Sequence, residues 1–202
     1  MKRNLWISLL MTMATTVLFG LVYPLVVTAL AQLIFPHKAN GQLIVENGTV
    51  VGSSILGQGF SGPAYFHSRL SAAGNGYDAA NSGGSNFSPT NQKLLDRVKS
   101  DVATAQAESP GTPIPIDLVT TSASGFDPHI TPAAAEFQLA RIARVRGIRI
   151  EQLRALVAKH TEGRQFGMLG EPRVNVLELN LDLDRRSPFA GAIEQIAGRA
   201  VP

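Results

Sequence analysis

Residues 5–35 are almost continuously apolar, and no charged side chain lies between Asn4 and His37. A bilayer core about 30 Å thick needs about 20 such residues at about 1.5 Å of helix each. The run therefore predicts a membrane-spanning helix with length to spare. A cleaved secretory leader is the rival reading, since a basic start precedes the run and Ala29-Leu30-Ala31 fits a small-x-small cleavage site. Leader cores are usually about 7–15 residues, and the run before Ala31 is far longer, which favours an anchor. Pro24 removes a backbone donor in mid-span and predicts a kink. Thr12, Thr15, Thr16, Thr28 and Gln32 are polar for a lone anchor. They either bond back to their own helix or form a face that rests on other membrane helices.

Beyond residue 36 the pattern changes. Two short apolar runs, 42–45 and 49–51, flank Glu46-Asn47-Gly48 and predict a hairpin, with Asn-Gly supplying the positive φ of a tight turn. Residues 52–86 are rich in Gly, Ser and Asn but embed Tyr65, Phe66, His67, Arg69 and Tyr77. A linker has no use for those side chains, so the stretch reads as a structured loop. Ser88-Pro89 predicts a helix start, with Leu94, Leu95, Val98, Val102 and Ala105 as its apolar stripe and Pro110, Pro113 and Pro115 ending it. Residues 116–120 read as a short strand or extended piece, and 122–131 as a second polar loop. Thr131-Pro132 predicts a helix to Gly147 with Leu139, Ile142 and Ala143 inward and Arg141, Arg144 and Arg146 outward; 150–160 reads as a third helix burying Leu153, Leu156 and Val157. In 174–184, Leu177, Leu179, Leu181 and Leu183 alternate with polar residues, which predicts a half-buried strand, although Asn175 is also placed to cap a helix. The last residues read as frayed.

Charge predicts an orientation. Lys2 and Arg3 precede the span and Lys38 is the first charge after it. Retention of positive charge on the cytoplasmic side predicts the N-terminus inside and the bulk of the chain outside. The expected fold class is α+β: residues 1–4 a cytoplasmic N-terminus, 5–35 a single N-terminal transmembrane helix, and 36–202 one extracytoplasmic mixed α/β domain with long ordered loops. The two N-terminal cations supply most of the formal net charge of +3, so the outer part is not that of a nucleic-acid binder. The absence of cysteine excludes disulfides, thiol catalysis and cysteine metal sites.

Several motifs invite chemistry. Gly57-Gln58-Gly59-Phe60-Ser61-Gly62 matches G-x-G-x-x-G, but Pro63 and the Tyr-Phe-His beyond it open no helix for a pyrophosphate. Gly83-Gly84-Ser85-Asn86 has the makings of an anion nest, or of a tight loop leading to Ser88. Asp127-Pro128-His129 with Ser122 or Ser124 suggests nucleophilic catalysis, against a structural role in bonding loop backbone; no G-x-S-x-G elbow is present. His37, His67, His129 and His160 lack the spacing of a helical zinc pair, so no metal site is expected. Arg141, Arg144 and Arg146 form a solvated face or a docking surface.

Taken together and in order, these segments resemble one family, the C subunit (KdpC) of the bacterial Kdp potassium-transporting ATPase. The resemblance rests on the N-terminal span; Gly57-Gln58 with Phe60; Tyr65-Phe66-His67 with Arg69 and Ser71-Ala72; Ser82-Gly83-Gly84-Ser85-Asn86; Ser124-Gly125 with Asp127-Pro128-His129-Ile130; Gln138 and Arg141; and Gly170-Glu171-Pro172 running into Val174-Asn175-Val176-Leu177 and Leu179-Asn180-Leu181. Ser68, Leu70 and Phe126 depart from the family, which more often has Gly, Pro and Leu there.

The resemblance implies an inner-membrane, single-pass subunit with a periplasmic bulk, held with a channel-like A subunit, a phosphorylated P-type ATPase B subunit and a small F peptide. This chain has neither an Asp-Lys-Thr-Gly nor a Thr-Val-Gly-Tyr-Gly motif and is neither of the first two. It implies a non-catalytic, catalytic-chaperone role in potassium uptake, with no cofactor of its own and ATP and potassium handled by the complex. ATP contacts implied by the family would fall on Ser82, Gly83, Gly84, Ser85 and Gln138, which the charge-based topology places on the side away from cytosolic ATP. The expected interaction surface comprises Tyr65, Phe66, His67, Arg69, Asn86, Asp127, His129 and Arg141. The competing classes are an anchored extracytoplasmic hydrolase using Asp127 and His129, and a cytoplasmic nucleotide-binding regulator.

Overall fold

The computed structural model describes residues 1–46 and 48–189. Asn47 of the expected tight turn, and the terminal stretch expected to fray, lie outside the described residues. The chain divides into two compact units, 1–43 and 44 onward.

In the first unit, α1 (Lys2–Val17), a π-helical turn (Leu18–Val22) and α2 (Tyr23–Ile34) form one continuous helix. Its mean hydropathy reaches 2.2 and none of its residues is buried within the chain. By length and composition it is able to cross a membrane. The π turn falls immediately before Pro24, where the ring would collide with the carbonyl of Gly20 in an unbroken α-helix. There the Tyr23 N–H donates five residues back, to the Leu18 carbonyl. Thr15 bonds back to the Met11 carbonyl at 2.8 Å, and Gln32 reaches Asn40 at 3.1 Å. The helix stops at Phe35, whose extended φ of −134° is what a following proline favours. Pro36 then opens the short α3 (Pro36–Ala39).

The second unit is built, among the described residues, on four helices and two small sheets. β1 (Leu43–Glu46) and β2 (Thr49–Ser53) form the expected hairpin. α4 (Gln92–Glu108) starts at Asn91, whose side chain accepts from the Lys93 N–H at 2.9 Å; Ser88-Pro89 makes the turn before it instead of the cap. Of the α4 stripe only Ala105 is buried, so the helix lies at the edge of the domain. Residues 116–118 form a 3₁₀ turn, not a strand.

Thr131-Pro132 opens α5 (Pro132–Arg146), with the Thr131 hydroxyl accepting from Ala134 at 3.1 Å. Gly147 closes it in the left-handed conformation, φ 68°. α6 (Ile150–Lys159) follows, burying Leu153, Leu156 and Val157. The sheet is antiparallel, in the order β3 (His129–Ile130), β5 (Arg173–Asn175), β4 (Thr161–Glu162).

The expected strand over 174–184 is instead α7 (Val176–Arg186). Asn175 caps it, accepting from the Glu178 N–H at 3.1 Å. Alternation misled because this helix is buried nearly all round: Asn180 and Asp182 are as enclosed as the leucines beside them. The core gathers Phe66, Ile130, Leu139, Ile142, Leu153, Val174 and Leu179 from both loops and helices.

Phe66 enters that core from a segment with no regular structure. Its backbone is held by an amide side chain: Phe66 N–H donates to Asn180 Oδ1, and Asn180 Nδ2 donates to the Phe66 carbonyl, both at 2.9 Å. Asn180 therefore does what a neighbouring strand would do. Asn180→Leu, which adds apolar volume, is expected to destabilise the detergent-solubilised chain by about 2–4 kcal/mol, because it strands two buried backbone groups at about 1–3 kcal/mol each. Thermal unfolding checks this; a loss below about 0.5 kcal/mol would contradict the clamp.

Candidate functional site

The residues singled out in the sequence meet on one side of the second unit, where 52–86 packs against α5, α7 and the loop before β3. Gln138 repeats the Asn180 arrangement one residue along. The His67 N–H donates to Gln138 Oε1 at 2.7 Å, and Gln138 Nε2 donates to the His67 carbonyl at 3.1 Å. Arg141 donates through Nη1 to the carbonyls of Pro63 (2.5 Å) and Tyr65 (2.9 Å), through Nη2 to Gln138 (2.7 Å) and through Nε to Glu108 (2.6 Å). Arg146 donates to the Ala64 carbonyl at 2.6 Å and to Asp184 at 2.6 Å, and lies over the Tyr65 ring at 4.7 Å. Two of the three α5 arginines expected outside are thus inside, and only Arg144 is exposed. The charge is tolerated because each buried guanidinium is saturated by carbonyls and a carboxylate.

These contacts place Tyr65, Phe66, Gln138 and Arg141 in the interior, at 3, 0, 2 and 7% exposure. His67 is half-buried; its Nε2 lies 3.1 Å from the Gly62 carbonyl, and burial, then the Arg141 charge, lower its pKa. The polar atoms of Gln138 are engaged by backbone and by Arg141, so a nucleotide there would have to displace them. Asn86, in the left-handed region at φ 51°, is exposed.

A second knot surrounds Arg69. Its Nη1 donates to Asp127 Oδ2 at 3.0 Å and its Nη2 to the Thr121 carbonyl at 3.3 Å. The Tyr77 hydroxyl donates to the Arg69 carbonyl. Asp127 Oδ1 accepts from the His129 N–H at 3.0 Å, and His129 Nδ1 stands 3.6 Å away. Burial alone would raise the Asp127 carboxyl, but hydrogen bonds from the His129 side chain and backbone, and then from Arg69, hold it at about 2. Arg69, Asp127 and His129 line an open cleft of about 410 Å³ with Asp117, Glu171 and Arg173.

The hydroxyls expected beside this pair turn elsewhere. Ser122 accepts from the Gly125 N–H at 2.9 Å and Ser124 from the Phe126 N–H at 3.1 Å, which is turn chemistry. Among the described residues no group of three His, Cys, Asp or Glu is arranged to hold a metal.

The glycine motifs have packing reasons. A β-carbon on Gly57 would sit 2.5 Å from the Asp127 carbonyl oxygen, and the Gly57 N–H donates to the Phe126 carbonyl at 2.8 Å. A β-carbon on Gly84 would meet the Ala123 carbonyl at 2.9 Å. The Gly83 N–H donates to the Ser124 carbonyl at 3.0 Å, which also accepts from the Ser82 hydroxyl. The 82–86 segment is therefore docked on 123–125, with the Gly83 donor already engaged.

Sequence reading missed Asn180 and Arg146 as clamps and Asp117, whose buried carboxylate accepts from the Thr131 N–H at 2.6 Å at the start of α5. A signal for Asn180 was present, since an amide between Leu179 and Leu181 has to be satisfied inside.

The Arg69–Asp127–His129 knot sets an acid limit. Because Asp127 sits below the ordinary carboxylate value of about 3.9, it stabilises the fold above about pH 4, and that contribution is lost as pH falls toward about 2. The parent chain is expected to lose stability more steeply across this window than Asp127→Asn, as read by denaturant midpoints. Parallel curves would contradict it.

Comparison with known proteins follows the same outline. A family model described as "K+-transporting ATPase, c chain" matches residues 5–185. A potassium-transporting ATPase KdpC subunit from Koribacter versatilis is 69% identical over 189 residues, covering 94% of this chain and 98% of its own. The protein of the same name from Acidobacterium capsulatum is 56% identical, covering 91% and 98%. The one from Rhodospirillum rubrum is 53% identical, covering 94% and 100%. This chain belongs to the KdpC family of potassium-transporting ATPase subunits.

Proposed function

We propose that the chain is a non-catalytic accessory subunit of an ATP-driven potassium uptake pump, anchored by one span and supporting assembly of the channel-like A, ATP-hydrolysing B and small F subunits. The observation that carries this reading is the use of Arg69, Asp127 and His129. Each holds backbone or its neighbour, and neither candidate hydroxyl is presented to the imidazole. A general base needs a proton to take within hydrogen-bond reach. Support for anchoring comes from the apolar helix Lys2–Ile34, none of which is buried by the rest of the chain.

The orientation follows from Lys2 and Arg3, with residues 1–4 cytoplasmic, 5–35 in the membrane and 36–202 periplasmic. On that side the domain acts on pumping by bracing a partner, without a nucleotide or metal of its own. Coupling of this kind passes through packed elements. Arg69, Asp127, His129 and Asn86 keep exposed atoms for such contacts, while Tyr65, Phe66 and Arg141 shape the surface from beneath.

A reporter active only in the periplasm, fused after Pro202, is expected to be active; activity of a cytoplasmic reporter at the same site would reverse the topology. His129→Ala in the assembled complex is expected to lower yield or potassium-stimulated ATPase activity only in part, by about 1–3 kcal/mol of lost contact. Complete loss of activity in a fully assembled complex would instead make the Asp127–His129 pair chemical.

A further inference from the structure

The outer end of the apolar helix is tied to the chain that follows it. Gln32 is the last polar residue of α2, and its side chain exchanges hydrogen bonds with that of Asn40 at 3.1 and 3.4 Å. Asn40 also donates to the Pro36 carbonyl at 2.8 Å. Residue 40 is thereby fastened to the last turn of α2. The backbone then passes through two consecutive left-handed residues, Gly41 at φ 80° and Gln42 at φ 50°, and the Gln42 N–H donates to the His37 carbonyl at 3.0 Å. β1 starts at the next residue. Three residues reach at most about 11 Å, so Leu43 cannot lie farther than that from Asn40.

The hairpin that begins there turns aliphatic side chains outward. Leu43 and Val45, two apart and therefore on the same face of β1, are 49 and 56% exposed, and Val50 on β2 is 52% exposed. Ile44, Glu46 and Val51 are more enclosed. Glu46 is the hairpin's one charged residue, and its carboxylate accepts from Arg185 at 2.9 Å.

We propose that β1–β2 is a membrane-lying hairpin, with Leu43, Val45 and Val50 seated in the lipid leaflet at which α2 ends. The proposal rests on the reading of Lys2–Ile34 as a membrane anchor. Chain reach carries it: the interfacial layer is about 5–8 Å deep on each side of the hydrocarbon, and β1 starts within reach of a residue fastened to the end of the span. Chemistry favours lipid over a socket on another protein. The three exposed side chains offer no ring, guanidinium or hydrogen-bonding group, and leucine and valine are under-represented among the residues that dominate protein interfaces. A lipid surface asks only for apolar area. Lys38, whose ammonium stands 5.8 Å from the centre of the Phe35 ring, keeps a cation beside the same helix end.

The chain has no cysteine, so single labels report one position each. Full-length V45C and V50C, each carrying a polarity-sensitive fluorophore, are reconstituted in phosphatidylcholine–phosphatidylglycerol vesicles that contain nitroxide lipids. Both are expected to shift to the blue and to lose more emission to a nitroxide at the top of the acyl chain than to one at its end, because an apolar face of this kind sinks about 5–10 Å into the headgroup–acyl boundary. I116C, at an exposed residue outside the hairpin, is expected to stay unquenched. L21C, within the span, is expected to lose most emission to the deep nitroxide. Quenching of L21C with none at positions 45 and 50, or equal quenching at I116C, would overturn the membrane seat while leaving the anchor standing. So would loss of lipid quenching at 45 and 50 in the assembled pump, since a protein would then cover the face. If L21C itself were unquenched, the anchor reading would fail and the hairpin's seat with it.

Discussion

Four consecutive residues, Ala64 to His67, are buried or half-buried with no strand beside them. Buried carbonyl and N–H groups must find partners, and here four side chains supply them. Arg141 takes the carbonyls of Pro63 and Tyr65, Arg146 that of Ala64, Asn180 both groups of Phe66 and Gln138 both groups of His67. Two helices, α5 and α7, thereby fix the path of a segment whose composition is that of a loop and whose start is a turn closed by the Tyr65 N–H on the Gly62 carbonyl. The Phe66 ring is driven into the core as a result, and everything that the 52–86 stretch presents outward follows from where this segment is held.

From that fixed segment the surface is assembled by close backbone approach. Gly57 lies against the Asp127 carbonyl, Gly84 against Ala123, and Gly125, at φ 76°, against Ala73. Arg69 and Asp127 then tie the two loops with one charged hydrogen bond, and His129 closes the Asp127 side through its backbone. Residues that look like the makings of an active site in one dimension also fasten one loop to another in three. That arrangement gives a stiff face on a domain whose described sheets are small, which is what the proposed bracing role requires.

The parts legible in the sequence were those governed by local rules. The long apolar helix, the Thr131-Pro132 helix start, the Gly147 stop and the hairpin depend on neighbours close in sequence. The 174–184 region was misread because Asn180 and Asp182 sit inside, where polarity ceases to mark the outer face. Asp182 is held there by Lys159 at 2.8 Å and lies 2.9 Å from His160 Nε2, contacts across more than 20 residues that no periodicity records. Arg141 and Arg146 were read outward for the same reason: their partners are carbonyls more than 75 residues away. The resemblance to a family singles out Gln138 and Arg141, yet not that they hold the backbone of 63–67.

Amide hydrogen exchange at Phe66 and His67, in the full-length chain in detergent, tests the clamp most directly. If Asn180 and Gln138 hold this backbone as a strand would, both amides should be protected to the level of core amides in α5 and α7. Exchange at the rate of exposed loop amides such as those of Gly74 and Asn75 would contradict the account.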